Sequence, residues 1–163
     1  MRTQPLSPND IDSIWSINEQ GLPGTGKVTT QEISHLLELS TLSLGVFSND
    51  ELLGFVICLP PGTDYGSLNY AWFNNKYEQF IYVDRIAVST DSRNRGIGSI
   101  LYQEVVSYSE QHAIPIAAEV NSIPPNPGSM RFHDRFQFER VGELEHQDKS
   151  VTMFLRRQRA LRG

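Results

Sequence analysis

The sequence predicts an α/β fold, a mixed and mainly antiparallel central sheet flanked by helices, and three observations carry that expectation. The strongest apolar run, Phe80–Val88, leads through a polar turn into an amphipathic helix from about Gly96 to His112, then into a second apolar run, Ile114–Val120. A strand, a helix and a strand in that order make a parallel pair. Around this unit the apolar runs come in close pairs, 42–48 with 52–59 and 138–144 with 150–155, which read as antiparallel. The first 40 residues instead have a helical period.

Taken in order, residues 8–19 carry Ile11, Ile14, Trp15 and Ile17 at helical spacing, behind a cap from Ser7 or Asn9. Thr29 or Thr30 caps a second helix with Ile33, Leu36 and Leu37 on its apolar side. Ser48-Asn49-Asp50 turns the first hairpin. Residues 60–78, rich in Pro, Gly, Asn and aromatics, read as a long loop with room for a short helix. The 96–112 helix buries a stripe of Ile97, Ile100, Leu101, Val105 and Tyr108. A short helix over 127–136 precedes the two closing strands. With 163 residues, 39% hydrophobic, and no internal repeat or low-complexity segment, the chain suits one domain spanning 1–163.

Composition excludes several function classes. A net charge of −5 argues against generic nucleic-acid binding. Arg156, Arg157, Arg159 and Arg162 give the chain a basic end, and the remainder stands at −9, which either favours a cationic partner such as an amine or simply keeps the protein soluble. No apolar run approaches the ~18 residues of a membrane span, and MRTQPLSPND has no signal-peptide core, so a cytoplasmic location is expected. One cysteine, Cys58, excludes an internal disulfide and a cysteine-based zinc site; within Leu52–Leu59 it reads as a buried thiol. His35, His112 and His146 are dispersed, and no metal site is expected.

The segment from Val88 to Ser99 carries the most chemistry. It joins the strongest strand to the longest helix. Glycines at 96 and 98 let the backbone approach a ligand closely, and the amides that open the helix have no partner within it. With the positive end of the helix dipole they form a seat for a pyrophosphate, to which Arg93 and Arg95 add charge-assisted bonds. A plain tight turn with solvated arginines is the alternative.

Arg93-x-x-Gly96-x-Gly98 resembles the Arg/Gln-x-x-Gly-x-Gly/Ala signature of the GNAT superfamily of N-acetyltransferases, which binds the pyrophosphate of acetyl-CoA. Asp84-Arg85-Ile86-Ala87-Val88 is similar to that family's fourth strand, whose free backbone groups pair with the pantetheine arm. Glu119-Val120-Asn121, and Asn126-Pro-Gly-Ser129 through Phe132-His133 to Phe136-Gln-Phe138, resemble its Glu-Val…Asn-x-x-Ala-x-x-Leu-Tyr-x-x-x-Gly-Phe pattern. Tyr65-x-Ser67-x-Asn69-Tyr-x-Trp72-Phe73, with Pro124-Pro-Asn-Pro, is similar to a bacterial group of predicted acetyltransferases and implies no particular acceptor. The matched elements run from about residue 42 to 155. The resemblance implies the GNAT fold, with a sheet that splays where pantetheine inserts. It implies acetyl-CoA as cosubstrate, held by Ile86, Ala87, Val88, Arg93, Asn94, Arg95, Gly96, Ile97, Gly98, Ser99 and Asn126.

Transfer from a thioester to an amine needs a neutral nucleophile, a polarised carbonyl and a protonated leaving thiolate. An ordinary ammonium of pKa ~10.4 requires ~4.6 kcal/mol to lose its proton at pH 7, so a carboxylate base is expected. Glu119, isolated among Ile116, Ala117, Ala118 and Val120, is the first candidate and matches the base of some relatives; a structural ion pair with Arg85 or Arg131 is its alternative. Asp84 is the rival base, unless Arg85 pairs with it. Strict alternation puts Asp84 and Ile86 on one face, Arg85 and Ala87 on the other. His133 stands where GNAT enzymes often carry the tyrosine that protonates the thiolate, and is either a general acid or a hydrogen-bonded structural residue. A backbone N–H around Ala87–Val88 would polarise the thioester oxygen. Tyr65, Tyr70, Trp72 and Phe73 either wall the acceptor pocket or pack beneath the 60–78 loop.

Gly21-Leu-Pro-Gly-Thr-Gly26-Lys27 fits the first part of a nucleotide-binding P-loop, which also needs a strand before it, a helix directly after it and a hydroxyl next. A predicted helix precedes it and Val28 takes the hydroxyl position, so the segment reads as a mobile loop over the acceptor pocket or a connector. Together these features predict acetyl transfer from acetyl-CoA to a primary amine, of a small molecule or protein, by direct attack in a ternary complex, the enzyme being a monomer or homodimer. A non-catalytic acyl-CoA-binding or sensing module, and an interaction protein using the acidic body or the arginine tail, remain the alternatives.

Overall fold

Among the described residues seven strands form one sheet in the order β1-β2-β3-β4-β5-β7-β6. They are β1 (Arg2–Pro5), β2 (Leu42–Ser48), β3 (Glu51–Leu59), β4 (Ile81–Val88), β5 (Ile116–Ile123), β6 (Glu139–His146) and β7 (Lys149–Arg156). The computed structural model describes residues 1–158, so Arg159 and Arg162 of the basic run lie outside the described residues. Among the described strands only β4 and β5 pair in parallel; the other neighbours are antiparallel. Helices α1 (Ile11–Gln20), α2 (Thr30–Leu39) and α3 (Leu68–Lys76) cover one face, and α4 (Ile97–His112) and α5 (Pro127–Arg135) cover the other. β3 is buried on both faces, sending Phe55, Ile57 and Leu59 toward α1–α3 and Val56 and Cys58 toward α4. That is why it reads as a continuous apolar run.

Local chemistry sets the helix starts. Thr29 Oγ1 accepts the amide of Glu32 at 3.0 Å while the Glu32 carboxylate accepts that of Thr29 at 3.1 Å, a reciprocal cap for α2. Ser67 Oγ accepts the amide of Tyr70 and starts α3 inside the segment expected to be mostly loop. Tyr70 and Phe73, one turn apart, then anchor that helix in the core. Trp15 departs from the expected apolar stripe: it is 38% exposed, and α1 instead buries Ile14, Ile17 and Asn18. β1 has no apolar alternation to announce it; it is held by pairing of Arg2–Pro5 with Phe47–Leu44 of β2.

Two irregularities open the centre of the sheet. β4 and β5 pair only at Ile81 with Ile116 and Tyr82 with Ala117, and the strands have no ladder beyond that point. Along the β3 side, Ile57 faces Arg85 and Cys58 faces Val83, leaving Asp84 as one extra residue in β4. Such a bulge cancels strict alternation. Asp84 and Arg85, expected on opposite faces, are therefore neighbours, with Asp84 Oδ2 2.8 Å from Arg85 Nε.

Candidate active site

The β4–α4 connection delivers a run of free amides to the mouth of that opening. Gly96 precedes α4 at φ +76, in the left-handed region that glycine enters without strain. The first helical bond runs from the Ile100 amide to the Gly96 carbonyl, so the amides of Ile97, Gly98 and Ser99 have no acceptor inside the helix. The Ile97 side chain fills the core, leaving only its backbone for a ligand. Gly98 borders the cavity; a Cβ there would meet the Phe132 ring at 3.7 Å. Arg93, Asn94 and Arg95 are exposed around the turn, and Arg93 Nη2 donates to the Gln20 carbonyl at 3.3 Å. Asn126 caps α5 by accepting the Ser129 amide at 3.3 Å.

From this turn a cavity of about 510 Å³ passes between the parted strands β4 and β5. Ile86, Ala87 and Val88 line it from β4, and Glu119, Asn69 and Lys149 also border it. The 21–26 segment, read from sequence as a mobile loop over the acceptor pocket or a connector, borders the cavity through Gly21, Pro23, Gly24, Thr25 and Gly26. Asn18 Nδ2 donates to the Gly26 carbonyl at 3.0 Å, as does Arg85 Nη1, and Arg85 Nη1 also reaches Asn18 Oδ1 at 3.1 Å. Asn121 Nδ2 reaches the Pro23 carbonyl from β5 at 3.4 Å.

Glu119 borders the cavity from β5. Its Oε1 accepts from the Tyr82 hydroxyl at 2.8 Å and from Asn69 Nδ2 at 3.2 Å. Its Oε2 is buried and has no hydrogen-bond partner among the described residues. Burial pushes the carboxyl up to about 8, although the Tyr82 and Asn69 bonds pull in the other direction. The ion pair with Arg85 or Arg131 considered from sequence is not formed: Arg85 is committed to Asp84, and its 2.8 Å contact is almost wholly buried. Asp84 also borders the cavity, with its charge held in that pair.

His133, on α5, is 3% exposed and both ring nitrogens are engaged. Nδ1 lies 2.8 Å from the Ser129 carbonyl, and Nε2 lies 2.6 Å from the Tyr102 hydroxyl. A carbonyl accepts only, so the proton sits on Nδ1 and Nε2 accepts from Tyr102. Burial lowers the imidazole pKa below its ordinary value, which keeps the ring neutral. Tyr102, on α4, borders the same cavity.

Of the four aromatics expected in the acceptor wall, Tyr65 alone lines the cavity. Tyr70 and Phe73 belong to the core, where the Tyr70 hydroxyl bonds the Pro60 carbonyl. Trp72 lies over Gly142 of β6, so closely that a Cβ there would come within 2.5 Å of its ring. The short helix for which the 60–78 segment had room turns these side chains inward. Sequence reasoning also missed Tyr82, Tyr102, Asn69 and Asn18. The available signal was a polar tip on an otherwise apolar face, which in a buried Tyr or Asn calls for a partner.

A family model described as acetyltransferase (GNAT) family matches residues 12–138. No curated protein matches the sequence. Among solved structures, Ard1 from Thermoplasma volcanium superposes with a TM-score of 0.78 at 17% identity, covering 98% of each chain. The ribosomal-protein-S18-alanine N-acetyltransferase from Escherichia coli gives 0.76 at 12% identity, covering 99% of this chain and 96% of that one. Arabidopsis thaliana NAA60 in complex with a bisubstrate analogue gives 0.74 at 19% identity, covering 94% and 95%. At such identities the likeness is one of fold.

Proposed function

The chain belongs to the acetyltransferase (GNAT) family, and from that premise we propose that it moves an acetyl group from acetyl-CoA to a primary amine by direct attack in a ternary complex. One observation carries the reading. One cavity is bordered both by Gly98 at the start of α4 and by Glu119, whose Oε2 has no partner among the described residues. Donor and acceptor held together in such a cavity meet with their reacting atoms aligned.

In this reading the amides of Ile97, Gly98 and Ser99 hold the pyrophosphate, flanked by Arg93, Asn94 and Arg95. The unpaired edge of Ile86, Ala87 and Val88 takes the pantetheine amides, and an N–H near Ala87–Val88 polarises the thioester oxygen. Glu119 receives the ammonium proton, directly or through water. At about 8 the carboxylate is a far better base than an ordinary glutamate, though at pH 7 roughly a tenth of it is ionised. Asp84, occupied by Arg85, shapes the field of the channel and ranks second as base. When the C–S bond breaks, its electron pair goes to sulfur; the Tyr102 hydroxyl, turned from His133 Nε2 to the thiolate, gives it a proton and regains the one shed by the new amide nitrogen. No helix among the described residues is long and apolar enough to cross a membrane; cytoplasmic action as a monomer or homodimer completes the proposal.

The test is thiol release from acetyl-CoA across a panel of small amines, amino acids and peptides. Acceptor-dependent release, lost in Gly98→Glu, is the expected result. CoA binding by calorimetry without release for any acceptor would point to a binding or sensing module instead.

A further inference from the structure

We propose that Asn69, Tyr82 and His146 act together as positioning residues that hold Glu119 by Oε1 and leave Oε2 free to take the proton; the inference rests on the reading of Glu119 as the base. Three elements converge on β5 to do this: α3 supplies Asn69, β4 supplies Tyr82 and β6 supplies His146. Oε1 accepts two hydrogen bonds, from Tyr82 at 2.8 Å and Asn69 at 3.2 Å, which occupy its lone pairs. Oε2 of the same carboxylate is buried and has no partner among the described residues. A buried polar atom left without a partner calls for an explanation, and an incoming donor provides one.

The third residue settles the direction of the amide. His146 Nε2 lies 2.9 Å from Asn69 Oδ1. An amide oxygen accepts only, so His146 donates, and the Asn69 NH₂ is thereby turned toward Glu119. Without His146 the amide is free to present its oxygen to the carboxylate and repel it. The Tyr82 ring is in turn fixed by Tyr70 and Phe73, with centroids 5.2 and 5.8 Å away. The other charged or titratable groups facing Glu119 are Asp84 and Arg85 from β4, Tyr102 from α4, and Lys149 at the head of β7 in the same cavity. Asp84 and Arg85 act in opposite directions on Glu119. Burial raises the proton affinity of the base most, and the two donors aim it and draw that affinity back down.

The test reads the Glu119 carboxyl directly, by carbon-13 NMR titration of glutamate-labelled protein, with Glu119→Gln identifying the resonance. Tyr82→Phe removes one hydroxyl and keeps the ring; it should move the Glu119 titration upward by roughly one pH unit. His146→Ala should move it the same way by less, and His146→Gln, which keeps a donor for Asn69 Oδ1, should restore it. The acidic limb of kcat/KM for the amine should move with the titration while CoA affinity stays unchanged. A Glu119 titration unaltered in folded Tyr82→Phe and His146→Ala proteins overturns the proposal. Shifted titrations with full turnover in Glu119→Gln uphold the positioning network and remove the assignment of Glu119 as base.

Discussion

Burial pushes the Glu119 carboxyl from its ordinary 4.5 up to about 8, and if Glu119 is the proposed base, this ties activity to stability. Between those values the folded chain binds the extra proton, so the group's contribution to stability is fully present below about 4.5 and is lost as pH rises through 8. Glutamine at this position cannot ionise. Glu119→Gln should therefore melt progressively higher than wild type between pH 5 and pH 8, by a margin of a few kcal/mol at most, while turnover falls by roughly 10²–10⁴-fold. Calorimetric melting at the two pH values checks it, and a variant that melts lower at both would mark a structural carboxylate. His133 calls for a different expectation. Its ring is neutral, with Nδ1 on a carbonyl, so the basic limb of the rate profile does not report imidazole deprotonation. Tyr102→Phe and His133→Phe should each slow thiol release, by at least about tenfold, without moving that limb; superimposable profiles with equal turnover would make the pair structural. Glu119 was legible in the sequence because an isolated carboxylate interrupts a strand of small apolar residues. Tyr102 was not, because a tyrosine beside Leu101 and Val105 in a helical stripe looks like any other core aromatic.

The start of α4 is fixed by packing as much as by its own residues. Gly54 of β3 lies beneath it, and a Cβ there would stand 2.8 Å from Ile97 Cγ2 and 3.1 Å from the Ala87 carbonyl. Gly54→Val should push the first turn of α4 away from β4, weakening CoA binding from a position that does not border the cavity; calorimetry alongside melting temperature measures both consequences. A variant that melts lower yet binds CoA with unchanged affinity would separate the turn from its support. Most elements were readable from period and caps, since β3, β4, α2 and α4 carry strong apolar repeats. The exceptions have physical causes. β1 has the sequence Arg-Thr-Gln-Pro and owes its strand conformation to β2 alone. α3 hides its capping serine in a stretch rich in glycine, asparagine and aromatics. The extra residue at Asp84 shifts the pattern by one position, and no side-chain alternation announces a bulge before its partner strand is known.

At the scale of the whole molecule, the parted strands, the 21–26 segment and the α4 turn belong to different stretches of chain that close around one passage. The 21–26 segment is tied to α1 through Asn18, to β4 through Arg85 and to β5 through Asn121, while Gln20 Oε1 accepts the Thr90 amide at 2.8 Å beside the α4 turn. A ligand filling the passage touches each of these parts, so its binding free energy is available to the entire fold. At a concentration of 100 times Kd that amounts to about 2.7 kcal/mol, which for a chain of this size raises Tm by roughly 5–10 °C. Acetyl-CoA should produce such a shift in the wild type and none in Gly98→Glu. Glutamate is well tolerated at the N-terminus of a helix, so the variant should fold, yet its side chain projects toward Phe132 and brings like charge to the pyrophosphate seat. Dephospho-CoA should retain most of the shift, because in the proposed binding mode the α4 turn holds the pyrophosphate and not the 3′-phosphate. An equal acetyl-CoA shift in the wild type and Gly98→Glu would move the donor site away from α4. The absence of any shift in the wild type would leave an interaction protein as the surviving alternative.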